Sequence, residues 1–380
     1  MLNIHLLALP NAQTTLTYDL CGFTQMTIRF AKLLKLLNHH VTLYASEEND
    51  APCDELVTAI TLEEQQALLN ATVNAQGKLE PTPYQYAYIE DWSPIWQLAN
   101  ARMIREIGKR KQPRDIICTI GGGSQRPVAN AHPDLMCVEY SVGYNGSFGP
   151  YRVFESRAWQ HTTYGFQGIT DVRFFDTVIP CFFEPQEFPF SAVKEPFLLY
   201  VGRLIPRKGL GIACQAAAAA GVPLKVIGHG DKSLVTHGAE YLGALPTPER
   251  NAWMARAQAL ILPTTYLEPF NQVAVEAQLC GTPVISTDLG GFTETVEQGR
   301  TGFRCSYLGE FVDAIHRAKS LDPFYIRERA EKLYSMEAVA PQYQRYFDRL
   351  QLLWGAGWNS LTPEKGEPSW QEHSALSLVQ

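Results

Sequence analysis

Residues Glu268–Gly302 read EPFNQVAVEAQLCGTPVISTDLGGFTETVEQGRTG, with two carboxylates, Glu268 and Glu276, eight positions apart around an expected strand-to-helix junction. Pro269 suits the first turn of a helix, where its missing N–H leaves no bond unmade. Val273, Ala274, Ala277 and Cys280 recur at helical spacing and form one apolar face. Gly281-Thr282-Pro283 ends that helix, and Val284, Ile285 and Ser286 read as a short buried strand. On this reading Glu268 sits in the loop and Glu276 projects about two turns into the helix. The amides of Phe270 to Gln272 then lie free at the helix N-terminus, a ready anion site. Two acids flanking an anion site suit a ligand that carries both phosphate and hydroxyl groups, and a nucleotide sugar has both.

Upstream, LLYVGRLIPRKG (Leu198–Gly209) is an apolar strand running into a basic, glycine-bounded turn. Glu268-x7-Glu276 followed by Cys280-Gly281-Thr282-Pro283-Val284-Ile285 resembles the retaining glycosyltransferases of family 4. Gly202, Arg203, Lys208 and Gly209 extend the likeness, as do Val226-Ile227-Gly228-His229-Gly230, Tyr241-Leu242-Gly243 and Gly290-Gly291 with Glu294. The motifs occur in the expected order over most of residues 196–305. The resemblance implies an α/β architecture of GT-B type, two Rossmann-like parallel α/β domains facing across a cleft.

It also implies roles. Arg203 and Lys208 would bind the donor diphosphate, Glu276 the ribose hydroxyls, and Glu268 the donor sugar. Gly202, Phe270, Asn271, Gln272 and Val273 would complete the nucleotide-sugar site, with Gly243, Ala244 and Leu245 near the base. Retention by front-face attack is the implied course, and a glycosidase-like pair of carboxylates is the competing one. Breaking a sugar–phosphate bond leaves negative charge on the diphosphate. Arg203 and Lys208 can neutralise it, each charge-assisted hydrogen bond being worth about 1.5–3 kcal/mol. Arg offers a planar fork and Lys a mobile point charge. The chain contains no Asp-x-Asp, so cationic side chains are the expected counter-charge, with no metal and no cofactor beyond the donor itself.

In the first half, Gly22 stands where the family's glycine-rich loop approaches the donor phosphate, a single glycine in place of the common pair. Many relatives carry a histidine where this chain reads Cys137-Val138-Glu139-Tyr140. Glu139, with Tyr140, is the acceptor-side candidate, and a partly buried structural acid is the alternative. Asn271 departs from the glycine often found after Glu-Pro-Phe. Gly121-Gly122-Gly123 with Ser124 and Arg126 reads equally as a second phosphate loop or a tight turn. Tyr84, Tyr86, Tyr88, Trp92 and Trp96, and then Tyr140, Tyr144, Phe148 and Tyr151, form aromatic clusters, for which core or interface packing is the leading reading.

The 380 residues suffice for two domains that each bury a core. A net charge of −7 argues against nonspecific nucleic-acid binding. No apolar run approaches the ~20 residues that span a bilayer, so membrane association is expected to be peripheral at most. The eight cysteines form no Cys-x-x-Cys pair or compact frame, which fits reduced thiols and a cytoplasmic location. The sequons at Asn70 and Asn145 are read as chance.

Strands alternate with helices along the chain. Expected are strands over Asn3–Leu9, Val41–Ala45, Ile116–Ile120 and Leu135–Tyr140, a helix from Phe23, and a helix from Trp92 to Arg110. The proposed division is 1–190 for an acceptor-side domain and 191–336 for a nucleotide-sugar domain. Residues 337–380 form a helix crossing back to the first domain and a loosely ordered tail. The Gly228-x-Gly230 pattern lacks its third glycine, leaving a dehydrogenase a distant alternative. His39-His40, His229 and His237 lack a metal-ligand set. A nucleotide-sugar-binding protein without transferase activity, or a nucleotide-sugar epimerase of the same fold, remains the alternative function.

Overall fold

The computed structural model describes residues 1–18, 21–69, 93–171 and 173–354. The expectations on Tyr84, Tyr86, Tyr88, Trp92, the Asn70 sequon and the tail from Gly355 lie outside the described residues. Short apolar strands covered on both faces pair in parallel, because the connections between them, several of them helical, return the chain to the same end each time. The first sheet contains β1 (Asn3–Leu7), β2 (His40–Ser46), β3 (Glu55–Ile60), β4 (Ile116–Thr119), β5 (Met136–Val142), β6 (Tyr151–Phe154) and β7 (Thr177–Val178). Its order is β3-β2-β1-β4-β5-β6-β7, parallel throughout.

The second sheet contains β8 (Glu195–Val201), β9 (Leu224–Ile227), β10 (Glu240–Gly243), β11 (Ala257–Leu262), β12 (Val284–Thr287) and β13 (Gly302–Cys305). Its order is β10-β9-β8-β11-β12-β13, again parallel. In each sheet the strand order reverses next to the first strand, at β1/β4 and at β8/β11. Such reversals leave a crevice beyond the carboxyl ends of the strands, where ligands bind in open α/β sheets.

Among the described residues, five helices flank the first sheet: α1 (Gly22–Leu36), α2 (Leu62–Leu69), α3 (Pro94–Arg110), α4 (Arg126–Ala131) and α5 (Arg157–Gln167). The second sheet carries α6 (Leu210–Ala220), α7 (Thr247–Arg256), α8 (Gln272–Leu279), α9 (Phe292–Thr295), α10 (Leu308–Ala318) and α11 (Pro323–Tyr334). The last described helix, α12 (Met336–Leu352), packs back on the first half. Tyr343 meets Phe30 of α1 edge-on at 4.9 Å, and Phe347 meets His39 at 5.8 Å. The backbone of Phe183 bonds both Tyr334 and Met336 at the crossing. Arg327 of α11 donates to the carbonyls of Pro185 at 2.9 Å and Phe188 at 2.8 Å, clamping the connection between the sheets. All eight cysteines are free. Among the described residues no helix is long and apolar enough to cross a membrane.

Candidate active site

The loops after β1, β5, β6, β8, β9 and β11 meet around one cleft of ≈ 1160 Å³ between the two sheets. That exceeds the roughly 300–1,000 Å³ of a typical small-ligand pocket, so it has room for two substrates. Arg203, Lys208, Glu268, Gly22, Gly202, Leu245, Phe270, Asn271, Gln272, Val273 and Glu276 all line it.

On the second-domain wall the chain leaves β8 at Gly202 and turns through Pro206–Lys208 before α6. Gly209 closes that turn at φ 76°, and a Cβ there would stand 1.9 Å from the Pro263 carbonyl oxygen, so only glycine fits. The tight turn brings the Lys208 ammonium between the Glu268 carboxylate oxygens, at 2.8 and 3.0 Å. Tyr266 donates its hydroxyl to the same carboxylate at 2.8 Å. The Arg207 guanidinium lies over the Tyr266 ring, 3.9 Å from its centroid. Glu268 is itself buried, and the Gly291 amide holds its carbonyl at 2.7 Å. Arg203 is exposed in the cleft. Lys208 therefore pairs with Glu268, Arg207 lies beside it on the Tyr266 ring, and Arg203 lines the same cleft.

The helix carrying Glu276 starts later than Pro269 suggests. Asn271 is its N-cap, at φ 67°, and accepts from the Ala274 amide at 3.1 Å. Pro269 and Phe270 thus belong to the loop, and Glu276 is the fifth residue of α8, little more than one turn in. A short polar side chain tolerates the left-handed conformation and can cap from it, which explains asparagine in place of glycine. α8 is buried nearly all round, from Ala274 to Leu279. Glu276, buried, accepts from Arg250 at 3.0 Å. Gln272 accepts from Arg29 of α1 at 3.1 Å, a bond that spans the cleft.

The first-domain wall corrects the sequence reading. Glu139 and Tyr140 do not line the cleft. Glu139 is fully buried and accepts from the amides of Phe148 (2.8 Å) and Gly149 (2.6 Å) and from the Tyr144 hydroxyl (3.2 Å). It holds the β5–β6 loop in place, with burial pushing its pKa up against those bonds. Tyr140 is stacked on Phe30 at 4.1 Å and donates to Thr27 inside the core. Their strand positions point inward, which a single apolar run cannot reveal. Gly243 also stays outside the cleft; its carbonyl accepts from the Gly228 amide. The Gly121 amide is taken by the Gln125 side chain at 2.8 Å, the arrangement of a tight turn, and that loop does not itself line the cleft.

Two acids of residues 1–190 reach the cleft, Glu187 in the connection between the sheets and Glu155, directly after β6. Glu155 is 5% exposed and accepts from the Ser141 hydroxyl at 2.7 Å. Burial pushes its carboxyl up to about 7, with Glu268 adding to the effect and Ser141 and Cys181 opposing it. The sequence signal was a lone acid directly after the short strand YRVF, easily passed over. Arg29 and Arg250 were likewise missed, since their partners Gln272 and Glu276 are remote in sequence, and so was Tyr266, although its partner Glu268 is only two residues away. Glu294 of α9 accepts from the Arg157 and Ala158 amides, capping α5 across the cleft.

The fold and cleft define a GT-B protein, two parallel α/β halves with a binding crevice between them. Residues 195–319 match the family model of the glycosyl transferases group 1. The chain is 34% identical over 149 residues to a glycogen synthase of Mycobacterium tuberculosis, covering 34% of this chain and 36% of that protein. It is 33% identical over 163 residues to a phosphatidyl-myo-inositol mannosyltransferase of Propionibacterium freudenreichii, covering 39% and 42%. The matches thus span well under half the length of these relatives. Over nearly the whole chain, the fold matches AviGT4, a glycosyltransferase involved in avilamycin A biosynthesis. The TM-score is 0.65 at 19% identity, covering 92% of this chain and 98% of that one. Anabaena HepE in complex with UDP and glucose matches with a TM-score of 0.64 at 16% identity, covering 92% and 100%.

Proposed function

We propose that this protein transfers a sugar from a nucleotide-diphosphate sugar to an acceptor hydroxyl, with retention of configuration and without a metal. The observation that carries the reading is the pairing of Lys208 with Glu268, beside Arg207 on Tyr266, in a cleft that Arg203 and Glu276 also line. The named activities of the relatives matched over this half, all glycosyltransferases or a glycogen synthase, support the same reaction class.

In this reading the donor diphosphate enters beside Arg203 and competes with Glu268 for Lys208. The ammonium gains a second anionic partner, and Glu268, still held by Tyr266, turns its freed oxygen to the donor sugar. As the sugar–phosphate bond breaks, the new charge falls beside Arg203 and Lys208. Fixed donors of this kind are worth about 2.7–4 kcal/mol of barrier each. Glu276 takes the ribose hydroxyls, oriented by Arg250. The acceptor enters from the first-domain side, and approach of the two walls excludes water from the reacting centre.

The test is a titration with UDP, GDP, ADP and CDP in the presence of chelator, followed by the matching nucleotide sugars. Selective binding of one diphosphate, with slow hydrolysis of its sugar, is expected and names the donor class. Binding of none of the four overturns the proposal, and binding that appears only with added metal overturns the metal-free part.

A further inference from the structure

The first sheet is deformed at one place beside the cleft. β5 and β6 pair in register at Glu139, and the register has slipped when pairing resumes at Val142. Inside that slip Ser141 takes φ 50°, a left-handed conformation that a β-carbon disfavours. Two residues on, Gly143 packs so closely that a Cβ would stand 2.3 Å from the Glu155 Oε2. Each departure borders the same group. The slip turns the Ser141 hydroxyl onto Glu155 Oε1, and the missing side chain of Gly143 leaves room at Oε2.

Irregularities of this kind concentrate where a side chain is aimed for a purpose, because regular pairing would be the more stable local choice. Burying a carboxyl group is also unfavourable unless its hydrogen-bonding capacity is used. The neighbouring Glu139 shows what a structural acid looks like here: three donors bind it and it does not line the cleft. Glu155 differs on both counts. Its hydrogen-bonding neighbours are the Ser141 hydroxyl and the Cys181 thiol, and it lines the cleft at the carboxyl end of β6. Glu268 of the opposite wall is close enough to act on it electrostatically.

We propose that Glu155 binds a hydroxyl group of the donor sugar from the first-domain wall, opposite Glu268 on the second. This rests on the transferase reading above. A carboxyl suits a hydroxyl and repels a phosphate, so the contact falls on the sugar and not on the diphosphate. The acid is within the field of Glu268, so the hydroxyl it reaches belongs to the sugar that Glu268 also holds. Nucleotide alone then needs the second domain, whereas nucleotide sugar is gripped by both walls.

The test compares the intact protein with Glu155→Gln and Glu155→Ala by calorimetry. The ligands are UDP, GDP, ADP and CDP, and then the glucose, mannose and N-acetylglucosamine conjugates of whichever diphosphate binds. Both variants should bind the diphosphate as the unaltered protein does. Glu155→Ala should weaken the nucleotide sugar about tenfold, the worth of one buried hydrogen bond, and Glu155→Gln should weaken it less. Equal loss for both ligands would make Glu155 a structural acid and overturn the proposal. So would undiminished nucleotide-sugar binding, including the case where only acceptor turnover suffers. If Glu155→Ala fails to fold, Glu155→Gln carries the comparison. If the unaltered protein binds none of the four diphosphates, the transferase reading falls and this inference with it.

Discussion

Replacing Glu155 by glutamine should change how the stability of the protein depends on pH, in a direction and by an amount that the structure specifies. Burial raises this carboxyl from 4.5 to about 7. Below pH 4.5 the group is protonated whether the chain is folded or not, and it carries no penalty. As pH rises toward 7, the unfolded chain releases the proton while the folded chain keeps it, so folding becomes progressively less favourable. Above about 7 both forms are ionised and the penalty stays constant. At about 1.4 kcal/mol per pH unit, the accumulated difference is roughly 3 kcal/mol. Glutamine has no proton to lose and can still accept from Ser141. The stability of Glu155→Gln relative to the parent should therefore climb by about 3 kcal/mol between pH 4.5 and 7 and then level off. Urea unfolding of both proteins, followed by tryptophan fluorescence at half-unit pH steps, measures that difference directly. A pH-independent offset between the two would show that Glu155 is ionised in the fold, and a difference that shrinks with pH would reverse the sign of the argument.

The remaining expectations concern the opposite wall. Arg203→Ala should lower turnover about 10²–10³-fold while leaving the fold intact, and near-normal turnover would remove Arg203 from the diphosphate site. Glu276→Ala should weaken nucleotide binding roughly tenfold or more, since it also frees the Arg250 guanidinium, whose Nε is buried without a partner. Unchanged nucleotide affinity would count against the ribose role. Gly209→Ala forces a β-carbon onto the Pro263 carbonyl at a left-handed position. It should cost at least about 1–2 kcal/mol, seen as a lower Tm, and an unaltered Tm would contradict the turn geometry. Glu294→Ala removes the cross-cleft cap of α5. Small-angle scattering should report a more open molecule, and an identical profile would mean that other contacts hold the two halves together.

Much of the second-domain wall was legible because its parts are local. Gly202, Arg203 and Lys208 follow one strand, and Glu268 and Glu276 bracket one loop and helix start, so their order along the chain is nearly their order in space. The start of α8 was misplaced because Pro269 is a permitted first-turn residue, whereas the bond that actually begins the helix is the Asn271 cap. The first-domain wall was read less well. Glu139 and Tyr140 occupy a strand buried on both faces, where the pattern of residue types cannot say which side chain reaches a cleft.

The alternation of strands and helices was readable from the amino-acid sequence alone, because it depends on apolar spacing within a few residues. The two facing parallel halves were expected from the family resemblance of the motifs over residues 196–305. The tertiary structure alone decided that Glu155, and not Glu139, faces the cleft from the first sheet. It also set the pairing of Arg29 with Gln272 and of Glu294 with α5, and the bulge that turns Ser141 onto Glu155. These join residues up to 243 positions apart. No local preference encodes them: they arise when the two sheets and α12 pack together and bring the carboxyl ends of their strands to one cleft.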